Sequence, residues 1–223
     1  MARIIQRLNT ASAHERALVL GASAVISALL SWGLPLPDWL FFRQIPLPPA
    51  LWFGLVLCSG VMLWSSRRPF VLAAVMIATF VAWQAAVEIT LRIEDRIERQ
   101  IVSLSPPNPS LGTLNLNTPV INYVWGLCGM VGGMIGSALV VFGLATVLKG
   151  FRRSNRWAPI ILFGTVAGFF LECGEVPRAS GLFLHIDSTL PVFLVWQVGV
   201  AALIGYSLTP AAKNACRDGN MSA

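Results

Sequence analysis

Two carboxylates three residues apart, Glu172 and Glu175, close an apolar run that begins at Trp157, and Arg178 follows them. A spacing of three places both acids on one face of a helix. Acids beside an arginine can hold a cation or a polar solute. They can also work as general acid and base while the arginine holds a phosphate, or simply form an ion pair that steadies a loop. A charge inside a bilayer is expensive, which makes Glu172 the most informative ionisable residue of the chain. Fifteen residues beyond Trp157, at about 1.5 Å each, it lies some 22 Å up a hydrocarbon core of roughly 30 Å. Gly164 and Gly168 precede it at steps of four, so the same face starts as a packing groove and ends in acids.

Gln84 lies the same number of residues beyond Pro69, with Glu88 one turn further on. Gln197 is six residues below Pro191, and Asn122 and Tyr123 stand at the outer start of another apolar run. Matched depth predicts that these faces converge on a polar pocket open to the outside. Its lining would be Gln84, Glu88, Asn122, Tyr123, Glu172, Glu175, Arg178 and Gln197. The alternative is structural, with Glu172 and Glu175 paired to Arg178 or Arg92, and Gln84 and Gln197 serving as interhelical hydrogen-bond glue.

Other chemistries lack their residues. Cys58, Cys128, Cys173 and Cys216 have no C-x-x-C spacing, which argues against a redox pair or a zinc site. His14 and His185 fall on opposite sides of the expected topology, so they do not form a haem-ligand pair. No P-loop, dinucleotide fingerprint, nucleophile elbow or H-E-x-x-H occurs. His185, Asp187 and Glu175 are a weak metal set, and neither a metal nor a cofactor is expected.

The elements that must position these residues are membrane helices. The 223 residues are 56% hydrophobic and only 12% charged, with a mean hydropathy of +0.70. Those values exclude a soluble globular domain. Uncharged stretches predict an all-α, polytopic membrane bundle forming a single domain over 1–223, with spans at 17–34, 50–66, 69–89, 120–148, 157–176 and 190–208. Five spans is the alternative, because the second is short and the fifth reaches Glu172 early. The first has Arg3, Arg7 and Arg16 before it, but it is too long for a signal-peptide core and has no good cleavage site after it, so an uncleaved span is expected.

With both termini cytoplasmic, Arg3, Arg7, Arg16, Arg67, Arg68, Lys149, Arg152, Arg153, Arg156, Lys213 and Arg217 lie inside, and Arg43, Arg92, Arg96, Arg99 and Arg178 outside. Eleven against five follows the positive-inside rule. A net charge of +6, spread over short inner loops, fits anionic lipid on the cytoplasmic side better than nucleic acid. Trp32, Trp39, Trp52, Trp125 and Trp196 are expected near the outer interface, and Trp64 and Trp157 near the inner one.

Between Tyr123 and Lys149, Gly126, Gly129, Gly133, Gly136 and Gly143 recur at three- and four-residue steps or their sums in an uncharged run. In lipid, helices associate through close van der Waals contact, and glycine permits it. With Gly164 and Gly168, this seam predicts tight helix packing, within one chain or in a homo-oligomer. Ala17, Gly21, Ala24 and Ala28 repeat the pattern. The third span should continue outward, since Ile89, Ile93, Ile97 and Ile101 recur every four residues, with Glu88–Arg92 and Asp95–Arg99 as i,i+4 pairs. Pro106 and Pro107 should stop it. Its outer end would rest on the membrane surface or dock a periplasmic partner. Asp38 to Phe42, between prolines, is expected to lie along the interface.

The stretch from Glu172 to Gly205 also resembles the C-terminal region of VanZ-like membrane proteins, through Glu172, Glu175, Arg178, Asp187, Gly199 and Gly205. That pattern has Gln where this chain has Glu175 and Asn where it has Gln197, and its gap before Gly199 is shorter. The resemblance covers 34 of 223 residues and implies an envelope-related role. The leading reading is therefore a non-enzymatic protein of a bacterial-type inner membrane. It would be a small-solute or cation permeation protein, or a subunit of an envelope complex, recognising its target through the acidic pocket. The alternatives are an enzyme acting on a lipid-linked substrate at the outer leaflet, with Glu172 or Glu175 as acid or base and Arg178 on a phosphate, and a purely structural subunit.

Overall fold

Ser12 opens the first helix with a reciprocal capping box. Its backbone N–H donates to Glu15 Oε2 at 2.7 Å, and the Glu15 N–H donates to Ser12 Oγ at 3.2 Å, satisfying donors that a helix start leaves unpaired. The computed structural model describes residues 10–33, 41–42, 45–65, 68–104, 119–148, 151–152, 154–172 and 192–208. Its helices are α1 (Ala13–Gly33), α2 (Pro48–Trp64), α3 (Pro69–Leu104), α4 (Pro119–Val147), α5 (Trp157–Glu172) and α6 (Val198–Ser207). A 3-10 turn, Ser154–Arg156, leads into α5, and a π-helical segment, Val192–Gln197, leads into α6. Phe41–Phe42 (β1) pairs antiparallel with Ile45–Pro46 (β2), Phe41 opposite Pro46. Phe41 and Phe42, which the sequence places in an interfacial segment, form one arm of this hairpin.

Three helices are long and apolar enough to cross a membrane, over Ala13–Ser31, Pro69–Ile97 and Gly126–Val147, and three shorter apolar ones accompany them. The surface agrees with that composition. Leu18 (72%), Leu162 (66%), Ile77 (63%) and Phe142 (61%) are exposed, while glycine and alanine face inward. Large apolar groups outside and small ones inside are what lipid as solvent selects. Apart from that hairpin the described residues are helical, and three helices of this length and composition make the chain a membrane protein.

Each helix packs against the next, and α6 returns to lie against both α5 and α1, closing a ring. The contacts run antiparallel throughout. A Cβ on Gly54 or Gly60 of α2 would press on Met76 of α3 and Leu20 of α1 respectively. On α4, a Cβ at Gly143, Gly136 or Gly132 would meet Ala78, Ala86 and Thr90 of α3 in turn. The opposite side of α4 faces α5 even more closely. A Cβ at Gly133 would overlap the Gly164 carbonyl oxygen, and one at Gly168 would overlap the Gly129 carbonyl oxygen. The glycine seam thus has two faces: Gly129 and Gly133 admit the backbone of α5, and Gly132, Gly136 and Gly143 admit the alanine side of α3. Gly126 is buried a turn earlier. Alternation brings the start of α1 and the end of α6 together: the His14 and Tyr206 rings are 5.5 Å apart, and a Cβ on Gly205 would come 2.6 Å from the Arg16 carbonyl oxygen.

The ring is filled. Trp196, 7% exposed, packs on Phe53 of α2 with centroids 5.3 Å apart, and its ring edge lies 3.4 Å from where a Cβ on Gly136 of α4 would stand. A side chain from the π-helical segment Val192–Gln197 that reaches both α2 and α4 sits inside the ring. This corrects the expectation that Trp196 belongs to the outer aromatic belt. Trp64, at 2% exposure, is likewise core. Belt logic assigns tryptophan by depth alone, and depth does not say which way a side chain points.

α3 continues to Leu104, so its 36 residues span about 54 Å, well beyond a hydrocarbon core. On the outward part, Arg92 Nη2 donates to Glu88 Oε1 at 2.5 Å, and Arg99 pairs with Asp95.

Candidate functional site

Eight residues make up the expected outer pocket, and the structure places their backbones unequally. Glu175 and Arg178 lie outside the described residues. Glu172 is the last residue of α5, and Asn122 and Tyr123 occupy the first turns of α4. These α4 and α5 ends adjoin, because the Gly129–Gly168 contact lies one to two turns below them.

Gln84 is placed differently. α4 meets α3 along Ala78, Ala82 and Ala86, and Gln84 leaves the helix about 160° round from Ala82 and Ala86. It shares its stripe with Ile77 and Leu91, which are exposed. Its amide nitrogen and oxygen are nonetheless shielded and have no hydrogen-bond partner among the described residues. Glu88, half-buried, is held by Arg92 on its own helix. α4 stands between α3 and α5, so equal depth has not put Gln84 against the end of α5.

Gln197 points inward. It is 1% exposed, and its Oε1 accepts a hydrogen bond from Ser27 Oγ of α1 at 2.9 Å, while its Nε2 has no partner among the described residues. Ser27 also lines a sideways-opening groove of about 200 Å³ between α1 and α2, with Ile26, Leu30, Trp52 and Leu55. The π-helical segment ending at Gln197 brings both Trp196 and Gln197 into the core, and π-turns concentrate at functional positions. No sequence signal marks that turn. The polarity of Ser27 within a small-residue stripe is the only hint of its partner.

The other end of the bundle is basic. Arg16 is 6% exposed; its Nη1 donates to the Ala11 carbonyl at 2.6 Å and its Nε to the Gly205 carbonyl at 3.3 Å. Arg156 Nη1 donates to the Ser207 carbonyl at 2.6 Å. Two arginines 140 positions apart thus satisfy the carbonyls that α6 leaves open at its end. Arg152 does the same for α4, donating to the Ala145 carbonyl at 3.2 Å and toward that of Thr146. The sequence identified these arginines as inner-side charges and gave no sign of their convergence on α6.

No protein-family model, curated protein or solved structure matches this chain. The resemblance to VanZ-like proteins therefore remains one of residue pattern over the Glu172–Gly205 stretch.

Proposed function

We propose that this is a six-span protein of a bacterial-type inner membrane, with both termini cytoplasmic, that acts without catalysis as a subunit of an envelope membrane complex. The observation that carries the reading is Trp196 inside the ring, against Phe53 and Gly136. A filled interior suits a scaffold that binds at its rim or flank better than a permeation path. Antiparallel alternation of six helices supports the topology, since an even number returns the end of α6 to the side where α1 begins. Arg16, Arg68, Arg152 and Arg156 gather at that end, which the positive-inside rule makes cytoplasmic. Glu88 and Asp95 belong to the opposite end, where Glu172, Glu175, Arg178, Asn122 and Tyr123 would offer the recognition surface.

Topology is tested with single cysteines in a cysteine-free background. In intact cells a membrane-impermeant maleimide should label a cysteine at Ser110 and spare one at Asn155; the reverse pattern would invert the assignment. The role is tested in proteoliposomes, where cation and small-solute flux should not exceed that of protein-free vesicles. Flux that Glu172→Gln abolishes would replace the subunit reading with permeation.

A further inference from the structure

The groove between α1 and α2 opens sideways, with buried Ser27 and Val56 at its floor and exposed Ile26 and Leu55 as its outermost lining residues. In a membrane protein such an opening faces hydrocarbon, so whatever fills it is mostly apolar. Trp52 lies four residues into α2 and Leu30 three before the end of α1, which sets one end of the groove about 6 Å inside the bundle. Ser59 and Ser23 line it seven residues deeper on each helix. The groove therefore runs inward along both helices for about 10 Å.

The hydroxyls of the lining are already committed. Ser23 Oγ donates to the Val19 carbonyl at 2.9 Å, Ser59 Oγ to the Val56 carbonyl at 2.7 Å and Ser27 Oγ to Gln197 Oε1 at 2.9 Å. Trp52 differs. Its Nε1 is shielded and has no acceptor among the described residues, a costly condition for a donor in an apolar setting. Bulk water does not reach it, so a partner must come in along the groove. Directly behind Ser27, Gln197 Nε2 is a second donor without an acceptor among the described residues, in a side chain buried almost completely. Both orphans are donors, so the group that this place lacks is an acceptor oxygen. An apolar chain that carries a carbonyl near one end meets both requirements, and an ester-linked acyl chain has that constitution. Its carbonyl lies where headgroups give way to hydrocarbon, the level at which tryptophan rings concentrate, and Trp52 is at that end of the groove. A transmembrane helix fits less well, because it is about 10–12 Å wide and needs small residues at its rims, where this groove has Ile26 and Leu55.

We propose that the groove between α1 and α2 is a binding site for one ester-linked acyl chain of a membrane glycerolipid, whose carbonyl oxygen accepts a hydrogen bond from Trp52 Nε1. The chain descends past Leu55 and Ile26 toward Ser59 and Ser23. The site requires that the protein lie in a membrane; it does not depend on the subunit role or on which end of the bundle is cytoplasmic.

The test uses the full chain in neutral-detergent micelles, with bound lipid counted by native mass spectrometry. The probes are a diacyl phosphatidylcholine and its dialkyl ether analogue, which share headgroup and chain length and differ only in the carbonyls. The ester lipid should bind roughly two- to tenfold more tightly, as one net hydrogen bond implies. That comparison is made on the native chain, so it needs no variant to fold. Trp52→Phe should weaken the ester lipid to the level of the ether and leave the ether unchanged, and Ser59→Leu, which fills the inner end of the groove, should weaken both. Equal binding of the two lipids by the native chain, or a preference for the ester that survives Trp52→Phe, would overturn the site. Lipid binding unchanged by Ser59→Leu, together with loss of a high-mass species that the native chain gives after mild solubilisation, would replace the acyl chain with a partner helix.

Discussion

Gly133 of α4 and Gly168 of α5 touch backbone to backbone: a Cβ on Gly133 would come 3.1 Å from the Gly168 Cα, and a Cβ on Gly168 would come 3.2 Å from the Gly133 Cα. Ser137 tightens the same contact, donating its hydroxyl to the Gly133 carbonyl at 2.5 Å and so turning a polar group inward without leaving it unpaired.

Gly133→Ala should therefore be among the most damaging small substitutions in the chain. The added methyl overlaps the Gly164 carbonyl oxygen, which is backbone and cannot swing aside, so α4 and α5 must separate at a cost of about 1–3 kcal/mol. Gly21→Ala is the matched control. Its Cβ would sit 3.5 Å from that of Ala202, an ordinary contact, and alanine gains up to about 1 kcal/mol over glycine within a helix. Unfolding midpoints in micelles should fall for the first and hold or rise for the second.

Ser27 and Gln197 should behave as a coupled pair. Removing the hydroxyl with Ser27→Ala leaves Gln197 Oε1 buried without a donor, beside an Nε2 that already lacks an acceptor among the described residues, which costs about 1–2 kcal/mol. Adding Gln197→Leu takes away the stranded amide, so the double variant should be more stable than the sum of the singles predicts. A double-mutant cycle on unfolding free energy measures this; additivity would mean the hydrogen bond contributes nothing.

The outward part of α3 should be insensitive to loss of its ion pairs. Arg99 and Asp95 are 75% and 59% exposed as side chains, so solvent and salt screen them, and Asp95→Asn should change stability by no more than about 0.5 kcal/mol. Circular dichroism should show unchanged helix content between low and high salt.

What could be read in advance followed from one-dimensional signals. Apolar runs located the helices, and the four-residue isoleucine step carried α3 beyond its apolar stretch to Leu104; Pro106 and Pro107, expected to stop it, lie outside the described residues. The glycine steps anticipated close approach on α4, though not that alternate glycines serve different neighbours. Rotation was the missing quantity. Counting residues from a helix end gives the height of Gln84 and nothing about its azimuth, which turns it away from Ala82. A π-turn adds a residue to the register without any compositional mark, so Trp196 and Gln197 rotate into the core unannounced. Arg16 and Arg156 are brought together by the closure of the ring, a long-range event that no local pattern records.

Glu172 carries the last prediction, because two physical costs fall on it at once. It ends α5, where the helix dipole disfavours a negative charge by about 0.3–1 kcal/mol, and it lies in the outer third of the expected membrane, where a charge is dearer still. Removing the charge with Glu172→Gln relieves both costs while keeping shape and hydrogen-bonding capacity. If the carboxylate serves recognition, the variant should unfold at the same temperature as the native chain or slightly higher, and should no longer assemble into the proposed membrane complex, measured as the loss of a high-mass species that the native chain gives after mild solubilisation. If it serves the fold through an ion pair, the midpoint should drop and assembly should weaken only in proportion. A variant with native stability and native assembly would remove Glu172 from the recognition surface and leave that role to the start of α4.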